Sequence, residues 1–171
     1  MIPYSNHEPL EVVDEDNRVI GVKKRSEIHR EHLRHRSVHM FIFNARGDLY
    51  LQKRSPGKDQ YPEHWDSSAA GHPNPGETSS EAAHRELDEE LGIATELTAV
   101  YRHPACPETG WEFVTLFTGS FDGPLHLNLE EATEGRYFTP AEVEALLIDP
   151  TRKVAPGFRL LYRSYQRNQR I

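Results

Sequence analysis

The stretch from Gly71 to Ile93, GHPNPGETSSEAAHRELDEELGI, constrains this chain more than any other. Thr78 followed three residues later by Glu81 is a capping-box pattern, in which each side chain satisfies a backbone N–H that the first helical turn leaves bare. Gly92 supplies the residue type that accepts the left-handed conformation at a helix C-terminus. The spacing therefore predicts a helix that starts at Thr78 and stops at Gly92. On that helix Glu86, Glu89 and Glu90 stand at i, i+3 and i+4, so one face presents three carboxylates. Ala83, Leu87 and Leu91 fall about a quarter turn round and can bury against a sheet. Like charges at this spacing repel, so the acidic face alone destabilises the helix. A hard divalent cation removes that penalty, and Mg²⁺ takes carboxylate oxygens while keeping waters and accepting substrate phosphates. Arg85 adjoins Glu86 and can hold a neighbouring carboxylate in one geometry. Glu77 lies in the loop entering the helix, and Gly71 and Gly76 permit backbone angles that turn a carbonyl toward a metal.

Charge elsewhere in the chain fits such a site. The segment from Arg18 to Arg36 is strongly basic, opposed by Glu27 and Glu31, and Thr151–Ile171 contains arginines and a lysine without any acid. Acids that hold cations, framed by bases that steer phosphates, suit a metal-plus-polyanion site, although solvated helix faces carry charge in the same way. The net charge of −7 argues against a nucleic-acid-coating protein, which relies on a basic field. Arg159, Arg163, Arg167 and Arg170 share one side of a C-terminal helix and leave that class open for a salt-dependence test. The chain of 171 residues suits one domain. Its apolar runs, such as Met40–Phe43, fall far short of the roughly 20 residues that span a bilayer. The first residues show no secretory h-region, and Cys106 is the lone cysteine, so a reducing, cytoplasmic setting is expected. Cys106 itself reads as a small buried residue.

Strands are predicted at Leu10–Asp14 and Arg18–Lys24, forming an N-terminal hairpin around residues 15–17. A second hairpin joins Ser37–Phe43 to Asp48–Lys53 through residues 44–47. Ser55–Pro75 reads mostly as loop, and Glu96–Tyr101 and Glu112–Gly119 read as strands. Thr139-Pro140-Ala141-Glu142 opens a further helix with a cap, a proline at the first helical position and a glutamate at the third. A last amphipathic helix carries Phe158, Leu160, Leu161 and Tyr165. Strands interleaved with helices imply a mixed α/β sandwich rather than a doubly wound parallel sheet.

The stretch from Gly71 to Ile93 resembles the Nudix box, G-x5-E-x7-R-E-U-x-E-E-x-G-U with U aliphatic. Gly71, Glu77, Arg85, Glu86, Leu87, Glu89, Glu90, Gly92 and Ile93 match every fixed position. The resemblance implies an α/β/α sandwich of mixed sheets with a loop–helix–loop catalytic motif, the Nudix domain spanning residues 31–171 after a hairpin extension at 1–30. It implies Mg²⁺-dependent hydrolysis, with Mn²⁺ as a substitute, of a nucleoside diphosphate linked to another group. By carry-over Glu86, Glu89, Glu90 and the Gly71 carbonyl resemble metal ligands, and Arg85 resembles the residue that orients Glu86. A downstream glutamate often completes such sites; Glu130, Glu131 and Glu134 are candidates, with Glu131 preferred. Glu86 is the nominated general base and Glu89 its rival. Arg54 stands where relatives place a phosphate-binding arginine. The expected substrate is a small nucleoside di- or triphosphate, handled by a monomer or dimer with no membrane or nucleic-acid partner. Tyr61, Trp65, Tyr101 and Trp111 are candidates to stack on its base.

A second resemblance runs from about His35 to Phe138 and concerns type I isopentenyl diphosphate isomerases, which share the fold. His35 and His72 match two of their metal-binding histidines, and Glu112 matches a metal-bound catalytic glutamate. The catalytic cysteine belongs at Ala70, however, and a partner glutamate at Gly110. A methyl group does no acid–base work, so the hydrolase is preferred, with an isomerase-like enzyme or an ADP-ribose pyrophosphatase (Pro107 being the weak pointer) as alternatives. A catalytically dead binding module would have lost box glutamates, and none is lost.

Overall fold

The computed structural model describes residues 7–168, so Arg170 lies outside the described residues. Elements follow in the order β1 (Pro9–Val13), β2 (Val19–Lys24), α1 (Arg25–Glu31), β3 (His35–Phe43), β4 (Leu49–Arg54), β5 (Trp65–Asp66), β6 (Ala69–Gly71), α2 (Ser79–Leu91), β7 (Thr98–His103), β8 (Glu112–Ser120), β9 (Ala132–Phe138), α3 (Pro140–Ile148) and α4 (Pro156–Asn168). A 3-10 turn at Pro107–Thr109 precedes β8. No helix among the described residues is long and apolar enough to cross a membrane.

A seven-stranded mixed sheet, ordered β5-β4-β3-β8-β7 with β6 branching from β3 and β9 from β4, separates two helical layers. Its parallel pair is β3 with β8, in register from His35↔Glu112 to Phe43↔Ser120. Residues alternate between faces along a strand. Val38, Met40 and Ile42 accordingly pack against Ala82, Ala83, Leu87 and Leu91 of α2. On the other face Phe41, Leu51 and Leu116 pack with Val143 and Leu147 of α3 and Phe158 and Leu161 of α4. The α/β/α sandwich is thus built from two apolar clusters, one on each face of the sheet.

The sheet splits where the site forms. Strands β3 and β4 leave their turn paired at Phe43↔Leu49 and then diverge. Residues 65–71 fill the wedge, with β5 against β4 and β6 against β3. Ser68 fastens the two strands at this point. Its Oγ accepts from the Ile42 N–H at 2.8 Å and donates to the Tyr50 carbonyl at 2.5 Å, while its own N–H donates to the Met40 carbonyl. A run read mostly as loop therefore contains two short strands that prop the cleft open.

The N-terminal hairpin forms a separate two-stranded sheet. Leu10 and Val12 on β1 bury with Ile28 of α1, whereas β2 is exposed throughout. Glu11 ties the hairpin to the main body, accepting from Arg36 Nη1 at 3.0 Å and from the Gly76 N–H at 2.9 Å. The boundary expected between residues 30 and 31 falls inside α1. Neither α1 nor β9 was anticipated. In α1 the one fully buried residue is Ile28, too little for an apolar stripe, and β9 is largely solvent-facing, with Ala132 and Phe138 buried at its ends.

Ser68→Ala leaves two buried backbone groups unpaired, and an unsatisfied buried group costs about 1–3 kcal/mol. Chemical denaturation of the variant should show a midpoint lowered by a loss of about 2 kcal/mol or more, at an unchanged denaturant slope. A loss within experimental error would show that the wedge is held elsewhere.

Candidate active site

The cleft opens into a cavity of about 880 Å³, lined among others by Gly71, His72, Glu86, Glu89 and Glu90. The box helix is α2 as expected, capped by the reciprocal Thr78–Glu81 bonds and closed by Gly92 at φ 63°. Arg85 organises the loop before it. Its Nε and Nη2 make a fork onto Glu77, each bond 2.9 Å long. Its Nη1 reaches Glu86 Oε1 at 2.7 Å and Glu89 at 3.4 Å, and Nη2 also donates to the His72 carbonyl. The fork holds the Glu77 carboxyl below its usual range, and Glu77 in turn raises the guanidinium.

The role expected of Gly71 needs a different reason. Its φ is not in the left-handed region, so conformational freedom is not the requirement; that belongs to Gly76 at φ 80°. A Cβ at residue 71 would instead overlap the Glu86 carboxyl. Glycine is needed there because a carboxylate packs directly on the backbone.

Glu86 and Glu90 are buried, and Glu89 is exposed. Burial pushes Glu86 up to about 7 against the pull of Arg85. Burial, then the neighbouring Glu86 and Glu131, pushes Glu90 up to about 8. Glu90 Oε2 accepts from Gln52 Nε2 at 2.6 Å and from the Ala70 N–H at 3.3 Å. Glu130 and Glu131 reach the cavity because their loop is pinned to the end of α2, where Asn128 donates its N–H to the Glu90 carbonyl. The Glu131 carboxylate pairs with Lys58. Glu134, the remaining downstream candidate, sits on β9 opposite Lys53 and outside the cavity. The oxygen donors of Glu86, Glu89, Glu90 and Glu131 suit a hard divalent cation such as Mg²⁺.

Other expected residues divide. Arg54 lines the cavity with Nε on the Gln60 carbonyl and Nη1 on Asp66. Of the four stacking candidates, Tyr61 lines the cavity. Trp65 is core, edge-on to Phe138, Tyr101 packs against the same cluster, and Trp111 lies beneath Arg34. Cys106 is half-buried rather than buried, with Sγ 3.7 Å from Thr109 Oγ1. The C-terminal arginines largely serve the fold, Arg163 pairing with Glu144 and Arg159 bonding the Leu147 carbonyl at the end of α3.

A second cluster meets the same cavity through His72 and Glu112. Ligating atoms of His29, His35, His72 and Glu112 all lie within 4.8 Å of one another. His72 Nε2 is 3.1 Å and His35 Nε2 3.4 Å from the same Glu112 oxygen. Second-ring nitrogens are anchored from outside, His35 Nδ1 by the Leu33 carbonyl and His29 Nδ1 by Asp59, an arrangement that fixes imidazole orientation around a metal. Burial holds His72 down to about 3, and the imidazoles beside Glu112 overcome its burial and keep it well below the usual range. His29 Nε2 is buried without a hydrogen bond and His35 Nε2 has only its 3.4 Å approach to Glu112, so the donor set fits a cation. His29 was missed because α1 was missed.

The sequence matches the NUDIX domain over residues 33–158. The chain belongs to the Nudix family. It is 37% identical over 143 residues to an isopentenyl-diphosphate Delta-isomerase of Streptomyces avermitilis, covering 78% of this chain and 72% of that protein. An uncharacterized Nudix hydrolase of Pseudomonas aeruginosa is 34% identical over 137 residues, covering 80% of this chain and 81% of the relative. The crystal structure of DR0079 from Deinococcus radiodurans superposes with a TM-score of 0.81 at 27% identity, covering 92% of this chain and 99% of that one. Nudix relatives thus divide between isomerases and hydrolases.

The buried carboxyls give a test by pH. A glutamate in the unfolded chain releases its proton near 4.5, whereas folded Glu90 keeps it to about 8. Between those values the folded state binds more protons, so the stability this group contributes is present below the lower value and lost as pH rises through the upper one. Without divalent cation, the thermal midpoint of the wild type should fall relative to that of Glu90→Gln as pH is raised from about 5 to about 8. Mg²⁺ should raise the wild-type midpoint again. Parallel curves for the two proteins would contradict the assignment.

Proposed function

We propose that this Nudix protein is a Mg²⁺-dependent hydrolase that cleaves a phosphoanhydride bond of a small nucleoside di- or triphosphate by water attack on phosphorus. The observation that carries this reading is the convergence of Glu86, Glu89, Glu90 and Glu131 on one cavity, with Arg85 fixing the loop beneath them. Those glutamates and the Gly71 carbonyl would hold Mg²⁺, with Mn²⁺ as substitute. When bound, the cation neutralises phosphate oxygens and acidifies a coordinated water.

The remaining work falls to the chain. Arg85 keeps Glu86 in one orientation through the 2.7 Å bond, and Glu86 takes the proton of the attacking water, with Glu89 as the rival base. Gln52 and the Ala70 N–H hold Glu90 by the same oxygen. Arg54 and Lys58 add positive charge to the cavity wall, where developing phosphate charge is stabilised. A cavity of about 880 Å³ lies in the range of small-ligand sites, about 300–1,000 Å³.

Isopentenyl diphosphate isomerisation is the second reading, favoured by the assembled His29–His35–His72–Glu112 cluster. Against it, the cavity wall carries the Ala70 methyl where that chemistry needs a thiol, and Gly110 where it needs a carboxylate.

Phosphate and pyrophosphate release should be measured with and without Mg²⁺ on nucleoside di- and triphosphates, ADP-ribose and isopentenyl diphosphate, the last with isomer analysis. Mg²⁺-dependent release is expected, with kcat lowered about 100-fold or more by Glu86→Gln and by Glu90→Gln. Glu89→Gln should lose less if Glu86 is the base. Isomerised product without release from any nucleotide would overturn the hydrolase. Separately, Zn²⁺ binding followed by calorimetry should survive Glu89→Gln and weaken about 10-fold or more in His72→Ala. Equal binding in His72→Ala and wild type would remove the histidine centre.

A further inference from the structure

One loop touches both the carboxylate centre and the histidine centre. It runs from Ser55 to His64 between β4 and β5, and Ser55, Gly57, Lys58, Gln60 and Tyr61 on it line the cavity. Backbone bonds fasten its ends, the Ser55 N–H donating to the Glu131 carbonyl at 3.0 Å and the Glu63 N–H to the Arg54 carbonyl at 3.0 Å. The tip between these bonds carries two consecutive residues of opposite charge, Lys58 and Asp59. The Lys58 ammonium pairs with the Glu131 carboxylate, which belongs to the carboxylate centre. The Asp59 carboxylate lies 2.8 Å from Nδ1 of His29, which belongs to the histidine centre, and 3.4 Å from Arg25 Nη2.

The two anchors respond to cations in opposite senses. Lys58 sits on a carboxylate that a divalent cation would use, so ammonium and cation compete for Glu131. Asp59 stands in the contrary relation to His29. The Nε2 of that imidazole is buried without a hydrogen bond, while Nδ1 is committed to Asp59. A cation on Nε2 requires the ring proton to sit on Nδ1 and makes that N–H a stronger donor to the carboxylate. The Lys58 and His29 side chains are 16% and 10% exposed, so both anchors are only partly screened by solvent. A cation at the histidine centre therefore favours the loop position seen here, and one at the carboxylate centre disfavours it.

We infer that Lys58 and Asp59 are positioning residues that set the two centres against each other, a cation on the histidines holding the loop on Glu131 and a cation on the carboxylates releasing it. The inference rests on the hydrolase reading for Glu131 as a cation ligand. Linkage makes the effect reciprocal, each cation weakening the other by the same factor. Direct repulsion between two cations acts in the same direction, but through space, and it persists when the loop side chains are changed. Coupling through the loop disappears with Lys58 or Asp59. The imidazole set takes Zn²⁺ and the carboxylate set Mg²⁺, so the two centres can be filled separately.

The test titrates Mg²⁺ by calorimetry into the full chain with and without one equivalent of Zn²⁺, and Zn²⁺ with and without Mg²⁺. In the wild type each cation should weaken the other about fivefold or more, the lower end of ordinary coupling between sites. Lys58→Met removes the competing ammonium, so Mg²⁺ should bind about threefold or more tightly, and the effect of Zn²⁺ on it should fall to about twofold or less. A gain in affinity is not what a damaged fold produces. Asp59→Asn should weaken Zn²⁺ about tenfold, leave Mg²⁺ binding without Zn²⁺ within about twofold of wild type, and likewise reduce the coupling. Amide hydrogen exchange across residues 55–64 should slow with Zn²⁺ and quicken with Mg²⁺. Equal Mg²⁺ affinity with and without Zn²⁺, or the same weakening by Zn²⁺ in wild type and both variants, would overturn the coupling and leave the hydrolase reading standing. Mg²⁺ binding unaltered by Glu90→Gln and by Glu131→Gln would overturn the carboxylate centre of that reading, and the coupling with it.

Discussion

Crowding of like charges on one face of α2 is the condition that the rest of the molecule accommodates. Glu86, Glu89 and Glu90 would repel on an isolated helix. One guanidinium, Arg85, offsets part of that repulsion while forking onto Glu77 and reaching the His72 carbonyl. It thereby ties the carboxylate face to the loop that enters the helix and to the strand end that carries Gly71. The absence of a side chain at Gly71 follows from the same arrangement, since Glu86 occupies the space a Cβ would take. What Arg85 leaves uncompensated is concentrated at Glu90, the deeper carboxyl, where a cation would do most.

Packing supplies the room for this chemistry. The two apolar clusters lie on opposite faces of the sheet and meet the cleft from either side. Because β3 and β4 separate after Phe43↔Leu49, ladder bonds lost between them are recovered by β5 and β6, and Ser68 satisfies backbone groups on both strands. The Ser68 hydroxyl thus makes one bridge between the strands, a bond to each, where direct rungs are missing. Polar residues that would be costly in a continuous sheet, such as Ser37, His39 and Gln52, become wall residues of a cavity.

Much of this was legible in the residues and some was not, for physical reasons. Capping signals and carboxylate spacing placed α2 within a residue of its observed ends, because those signals are local. Hairpin turns were legible for the same reason, Asn17 adopting φ 63° in the first of them. Strand β9 escaped notice because exposed Thr133, Glu134 and Arg136 hide its pairing with β4. His29, Asp59 and Lys58 could not be grouped with His72, Glu112 and Glu131, since only tertiary structure brings these segments together. Gly71 showed the opposite failure, a residue placed at the site for a conformational reason when the structure gives a steric one.

Helix α1 has a consequence for how such a molecule divides. The match to the family begins at residue 33, after α1, yet α1 carries His29 into the histidine cluster and Arg25 onto Asp59 in the loop that also bears Lys58. A chain trimmed to that border would keep the carboxylate wall, the wedge and both apolar clusters while losing one imidazole and the clasp on a cavity loop. The border of the architectural module and the border of the chemical one are different lines through the same sequence. Swapping the N-terminal segment between relatives would therefore exchange part of the reactive interior along with the hairpin.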